Sequence, residues 1–272
     1  MAWTRRQKNK LIYGALMALC IVGFWWFENF HDPKSYEIPG EDHPVTAFPE
    51  PWLPAGFGGE RVRHAFYQLE YAEAHEQAAW VAYVLDPAQL TRDDRERPYY
   101  IEDPEVSTFS ADWRNYRGSG YDRGHLCPAG DRRFSLTAYN QTFYTSNVSP
   151  QDPGFNAGIW NELEMQVRRW CRRYGRVFVI TGGVLGPGLP AIGEEQVTVP
   201  AYFYKVVIRE GDAGPLAIGF LMPNQPREET LQRFAVSLDS IEGVTGLDFF
   251  RELPPSVQEG LESRERSADW HF

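Results

Sequence analysis

A mixed α+β domain is what this sequence predicts, and three observations carry it. Runs of β-branched and aromatic residues lie both before and after one long segment at 156–174. That segment repeats its apolar residues at helical spacing, and no internal repeat points to a solenoid or propeller.

The elements follow in chain order. Arg5, Arg6, Lys8 and Lys10 form a basic flank over residues 1–10, ahead of residues 11–27, a run of 17 without a charge. That length is the low end for a bilayer span, and Trp25 and Trp26 suit an interfacial belt. The run ends in Phe24-Trp-Trp-Phe27 with no small-x-small cleavage site, so a transmembrane anchor is preferred to a signal segment. The basic flank sets the N-terminus as cytoplasmic and the folded domain as extracytoplasmic, periplasmic or at the cell surface in a bacterium. Secretion after signal cleavage is the alternative, and an organelle membrane in a eukaryote stays open.

Residues 28–60 hold six prolines and the cluster Gly56-Phe-Gly-Gly59, which reads as an extended tether. The folded domain is expected over 61–253. Residues 64–71 and 78–85 read as a strand pair around Glu73-Ala-His-Glu76, 86–112 as loop, and 141–148 as another strand. In the helix 156–174, Ile159, Leu163, Val167 and Trp170 face inward. Arg168, Arg169, Arg172 and Arg173 are then expected mainly outside, and Gly175 ends the helix. Residues 176–181 form a buried strand closed by Gly182-Gly183, with further strands in 197–208 and 216–221. A short helix is expected over 228–236, a turn and helix over 236–246, and a polar surface tail over 254–272.

The 272 residues carry a net charge of −10, which argues against a tight, non-specific nucleic-acid binder. Charge is uneven, however. Residues 91–176 hold 13 Arg and no Lys against 12 Asp plus Glu, leaving about −11 for the remainder. Arginine is the residue suited to bidentate phosphate contacts, so an enzyme meeting phosphate at a local basic site stays open. Three cysteines make no disulfide framework. Cys127 and Cys171 could pair in an oxidising compartment, but buried free thiols are the plainer reading.

The candidate chemistry centres on Tyr121-Asp-Arg-Gly-His-Leu-Cys-Pro-Ala-Gly130, with Gly118 and Gly120 just before it. Phosphodiester hydrolysis needs a base for water and positive charge on the phosphate. His125 can be the base, since an ordinary imidazole is largely neutral at physiological pH, and Arg123 can bind a phosphate oxygen. Asn156 opens the expected helix and Glu164 follows eight residues later, about 80° around the axis, so both can face one cleft. Taken singly, His125 reads as readily as structural, Asn156 as a plain N-cap and Glu164 as a solvated charge.

Tyr116-Arg-Gly-Ser-Gly-Tyr-Asp-Arg-Gly-His-Leu126 resembles the signature of the DNA/RNA non-specific endonucleases. Ser146-Asn-Val-Ser-Pro-Gln151 and Phe155-Asn-Ala-Gly-Ile-Trp-Asn-Glu-Leu-Glu164 resemble that family's strand and metal helix. The likeness extends through Trp80-Val-Ala-Tyr83, Thr181-Gly182, Pro200-Ala-Tyr-Phe-Tyr-Lys205 and Met222-Pro-Asn224, covering roughly residues 62–250 in the family's order. The resemblance implies a ββα-metal fold with a central mixed or antiparallel sheet flanked by helices. It also implies one divalent cation, Mg²⁺ in the first place, with Mn²⁺ or another ion as substitutes.

Carried over, His125 is the general base, Asn156 the direct metal ligand, Glu164 a support for the ion's water shell, and Arg123 a phosphate contact. Arg97 matches a further family arginine, with Arg95 as its rival. Asn147, Asn161 and Asp122 are supporting residues. Asn147 orients the site's backbone or ends a strand, and Asn161 supports the metal or is simply exposed. Cys127 lies where relatives vary and is not read as a catalytic thiol. The implied activity is sugar-non-specific cleavage of DNA and RNA leaving 5′-phosphate ends, and the family resemblance allows a homodimer that no pattern in the chain specifies. The alternatives are a phosphodiesterase for a smaller diester and a non-catalytic binding domain at a membrane.

Overall fold

The computed structural model describes residues 5–30, 36, 46–212 and 214–272. The chain divides into two units, Met1–Ser35 and Tyr36–Phe272. The first holds helix α1 (Arg5–Phe30), whose segment Arg5–Phe27 is long and apolar enough to cross a membrane by length and composition. Its side chains over residues 5–27 are exposed.

In the second unit β1 (Glu60–Arg63), β2 (Tyr67–Ala72) and β3 (Gln77–Leu85) form a meander. A hairpin of β4 (Asp122–His125) and β5 (Val148–Gln151) follows, with helix α2 (Leu136–Gln141) between its strands. Next comes a helical stretch kinked at Gly158, whose backbone (φ −95°, ψ −115°) leaves the helical region. It consists of α3 (Pro153–Phe155), a π-helical turn (Asn156–Trp160) and α4 (Asn161–Tyr174). β6 (Val177–Gly183), a small hairpin of β7 (Ala191–Ile192) and β8 (Val197–Thr198), then β9 (Tyr202–Arg209), β10 (Leu216–Pro223) and β11 (Ala235–Val236) complete the strands. Helices α5 (Leu238–Thr245) and α6 (Pro255–Glu262) close the chain.

The main sheet is antiparallel throughout and ordered β1-β2-β3-β6-β9-β10-β11. Every residue of β3 and β6 is buried, as expected of central strands covered on both faces. Period-two alternation divides their side chains between two cores. Val81, Tyr83, Val179 and Val207 join Leu163, Val167 and Trp170 of α4. Trp80, Ala82, Ile180 and Val206 join Leu238, Ile241 and Leu261 of α5 and α6. The metal-helix candidate and the last two helices therefore cover opposite faces of the sheet.

Several elements differ from the sequence reading. Residues 141–148 are not a strand. Ser135 caps α2, residues 145–147 form a 3-10 turn, and pairing starts only at Val148. The aromatic residues there are used for packing, since Phe143 joins a cluster with Tyr100 and Tyr139. Asn147 bonds the backbone locally, which competes with a ladder. Over 228–236 a 3-10 turn (Leu231–Phe234) gives way to β11, which borders β10.

The expected tether is shorter than residues 28–60. α1 runs through Phe30, and the packed fold already includes Phe48 and Leu53, while Trp52 meets Phe178 edge-on at 4.9 Å. Residues 31–45 lie outside the described residues apart from Tyr36. The expected polar tail is also structured. Leu261 and Trp270 supply apolar anchors, and Trp270 meets Trp170 of α4 at 4.7 Å. The His271 carbonyl accepts hydrogen bonds from Gln166 and Trp170 (3.0 and 2.6 Å), so residues 254–272 brace the metal-helix candidate.

Candidate active site

The β4–β5 hairpin presents Arg123 and His125 two residues apart, on one face of a strand. Gly118 and Gly120, at φ +69° and +85°, make the turns that lead into it. Gly124 has a different reason to be glycine, because a Cβ there would lie 2.1 Å from the Gln151 side chain on the paired strand. Just beyond His125, the buried Asn147 amide accepts from the Cys127 N–H (2.8 Å) and donates to the Cys127 and Thr142 carbonyls (3.0 and 2.9 Å). The turn that carries His125 is thus pinned from both sides.

The helical stretch starts at Asp152, whose carboxylate accepts from the N–H groups of Gly154 and Phe155 (2.8 and 3.1 Å), with Pro153 at the first helical position. Asn156 is therefore not the N-cap. It lies inside the first turn, and its Nδ2 donates to Asp122 Oδ2 of β4 at 2.9 Å. That bond uses the amide's donor end and leaves its carbonyl oxygen to face elsewhere. The start of the helix is fastened by Asn224, which accepts from the Asp152 N–H (2.8 Å) and donates to the Pro150 carbonyl (3.1 Å).

His125, Asn156, Asn161 and Glu164 line one hollow of about 300 Å³, floored by Pro128, Ala129, Gly130 and Ala157. The residues singled out on separate segments thus meet at one place. A larger hollow of about 570 Å³, between residues 112–119 and 192–195, contains none of them. His125 Nε2 is buried and has no hydrogen-bond partner. Burial, reinforced by the positive charge of Arg97, pulls its pKa down to about 3, so the ring is neutral at physiological pH.

Arg97 and Arg123 both pack against Tyr100, with guanidinium carbons 5.4 and 4.8 Å from its ring, and Arg97 donates to the Tyr100 hydroxyl at 3.0 Å. Tyr100 in turn lies 5.7 Å from the His125 ring. Between the two candidate arginines, the geometry favours Arg97. Arg95 is occupied with the Arg133 carbonyl at 2.9 Å.

Glu164 is mostly buried, and burial pushes its pKa up to about 7 against the opposing charges of Arg168 and Lys205. Arg168 was expected outside. Instead it turns in to pair with Asp131 and, at 3.3 Å, with Glu164, because Asp131 is buried and demands a counter-charge. Lys205 is fully buried, 4.4 Å from the Trp160 ring and 3.2 Å from Thr181 Oγ1, and burial lowers its pKa to about 8. Asp131, Arg168 and Lys205 were not singled out as site residues. Lys205 and Thr181 lie in segments that resemble the endonuclease family, but no spacing in the sequence links them to Glu164. Cys127 and Cys171 are free and buried, and burial raises Cys127 to about 11, which leaves it a protonated thiol.

The donors around the hollow suit a hard, strongly hydrated dication. Apart from His125 they can supply oxygen, and the bond to Asp122 engages the Asn156 Nδ2 and leaves its carbonyl oxygen available to an ion.

The profile of the DNA/RNA non-specific endonuclease family matches residues 47–256. The mouse (Mus musculus) protein "Nuclease EXOG, mitochondrial" is 33% identical over 275 residues, covering 93% of this chain and 75% of its own length. The human (Homo sapiens) protein "Endonuclease G, mitochondrial" is 40% identical over 198 residues, 67% of each chain. A chain in the solved EndoG/EndoGI complex superposes with a TM-score of 0.67 at 32% identity, over 72% of this chain and 87% of that one. These relatives are mitochondrial by name, which overturns the placement of the domain outside the cytoplasm on a bacterial or cell-surface anchor, and secretion with it. The flanking-charge rule orients a segment only in a bilayer already identified. A basic, apolar N-terminus does not identify one.

Proposed function

The chain belongs to the DNA/RNA non-specific endonuclease family and is a nuclease, and we propose that it hydrolyses DNA and RNA with His125 as general base and a divalent cation at Asn156. The observation that carries this reading is the shared hollow. An unpartnered imidazole nitrogen, an oriented asparagine carbonyl and a mostly buried glutamate line one space beside two arginines.

His125 Nε2 takes the proton of the attacking water. An incoming phosphate offsets the charge of Arg97 and so strengthens the base as substrate arrives. Arg123, braced by Tyr100, and the exposed Arg97 hold the phosphate oxygens and neutralise charge developing on them. Asp122 keeps the Asn156 amide turned with its oxygen toward the hollow. Glu164, held by Arg168, and Asn161 accept hydrogen bonds from water there. When bound, Mg²⁺ supplies concentrated positive charge for the phosphate oxygens. The local arginines, rather than the net charge of −10, then account for substrate affinity.

When the water oxygen bonds to phosphorus and the bond from phosphorus to the 3′ oxygen breaks, the phosphate stays on the 5′ oxygen and the protonated 3′ oxygen leaves, giving 5′-phosphate and 3′-hydroxyl ends. Fragments of a DNA digest that ligase rejoins without prior kinase treatment support this polarity; fragments that need kinase first overturn it. The apolar, exposed segment Arg5–Phe27 supports a further reading, that it holds the chain to a bilayer. Full-length protein should float with liposomes while a form starting at residue 46 stays in solution, and equal flotation of both would remove the claim.

A further inference from the structure

We propose that Asp239, Glu242 and Glu262 form a second divalent-cation site, of calcium type, that fastens α6 to α5 on the sheet face opposite the catalytic hollow. One carboxylate oxygen from each of the three lies within 4.8 Å of the other two. Proximity of acidic groups alone is common on surfaces, but Glu262 is only 8% exposed, and its Oε1 is buried without a hydrogen-bond partner. Among the described residues none of the three is in a salt bridge.

The frame is fixed before any ion arrives. Asp239 and Glu242 are three residues apart on α5 and share a face. Glu242 is held by the Phe249 N–H, which donates to its Oε1 at 2.6 Å, and by the turn in which the Gly246 N–H meets its carbonyl at 2.8 Å. Glu262 ends α6, and its neighbour Leu261 packs in the same core as Leu238 and Ile241 of α5. Burial together with the charges of Glu242, Asp239 and Asp248 pushes Glu262 up to about 7, and Glu242 is raised as well. A buried carboxylate facing only like charges is relieved by a cation. An all-oxygen, carboxylate-only donor set selects hard ions. Three carboxylates drawn from two helices, with water completing the shell, suit the flexible six- to eight-ligand sphere of Ca²⁺ better than the strict octahedron of Mg²⁺.

The test is calorimetry and thermal unfolding of the chelator-treated full chain with CaCl₂. The wild type is compared with Glu262→Gln and with Asp239→Asn, whose position is exposed. The expected result is one more Ca²⁺ bound per chain in the wild type than in either variant. At Ca²⁺ about tenfold above Kd, Tm should rise by roughly 3–6 °C more in the wild type than in either variant. In chelator, Asp239→Asn should be at least as heat-stable as the wild type, because repulsion is removed. Equal Ca²⁺ stoichiometry and equal shifts in wild type and Asp239→Asn, or no shift in the wild type, overturn the proposal. Should Glu262→Gln fail to fold, the Asp239→Asn comparison decides alone.

Discussion

Asn156 on the helix donates its side-chain amide to Asp122 on β4 at 2.9 Å, joining the two halves of the site across 34 residues of sequence. The bond fixes which end of the Asn156 amide is turned to the hollow. Asp122→Ala should lower kcat by about 10–100-fold and raise the Mg²⁺ concentration needed for half-maximal rate, as expected for a residue that orients a ligand. Asp122→Asn keeps an acceptor and should recover part of the loss. Metal titrations of initial rate check this, and an unchanged Mg²⁺ midpoint in Asp122→Ala would show that the bond orients nothing.

The pKa of His125 yields a signed prediction. Burial and Arg97 hold it at about 3, so protonation should limit kcat/KM only far below the ordinary histidine range. Arg97→Gln removes a positive charge that disfavours the imidazolium, so the acidic limb should move to higher pH. Stability carries the same sign. The unfolded chain takes up this proton near pH 6.5 and the folded chain does not, so stability declines as pH falls from about 6.5 toward about 3. A limb that stays in place in Arg97→Gln contradicts the coupling.

The inward turn of Arg168 separates it from its exposed neighbours. Arg168→Ala strands the buried Asp131 carboxylate and should cost about 3–5 kcal/mol in denaturant unfolding. Arg172→Ala, on the outer face of the same helix, should cost under about 0.5 kcal/mol. Similar losses in the two variants would mean that the Asp131 pair contributes little.

Asn147 tests the hairpin's anchor. Its side chain makes three hydrogen bonds, all to backbone groups of buried residues, so Asn147→Ala should destabilise by about 2–4 kcal/mol. Urea unfolding monitored by tryptophan fluorescence gives the value, and a loss below about 0.5 kcal/mol contradicts the assignment.

Much of this arrangement is legible before folding, for physical reasons. β3 and β6 are uninterrupted buried runs, and α4 repeats Leu163, Val167 and Trp170 at one face, so each element carries its own periodic signal. His125, Asn156 and Glu164 are readable because the motif and the helical spacing are local. Contacts between distant segments leave no such trace. Asp122 with Asn156, Asp131 with Arg168, and Lys205 beneath Trp160 are set by how the hairpin and β9 meet the helix. The start of the helix was misplaced although Asp152-Pro153 is an ordinary capping pair, because Asn156 offered a rival cap. The last stretch shows the limit of composition, since a few apolar anchors, Leu261, Trp270 and Phe272, order a segment that is otherwise polar.

The central claim is that His125, with a divalent cation at Asn156, cleaves both kinds of nucleic acid. The most direct measurement is the initial rate on plasmid DNA and on RNA, in Mg²⁺ and in excess chelator, for wild type and His125→Ala. Wild type should cut both substrates in Mg²⁺ and neither in chelator. His125→Ala should lose about 10²–10⁴-fold on both while unfolding at a similar temperature. Full activity in chelator, or a wild-type rate in His125→Ala, would contradict the account.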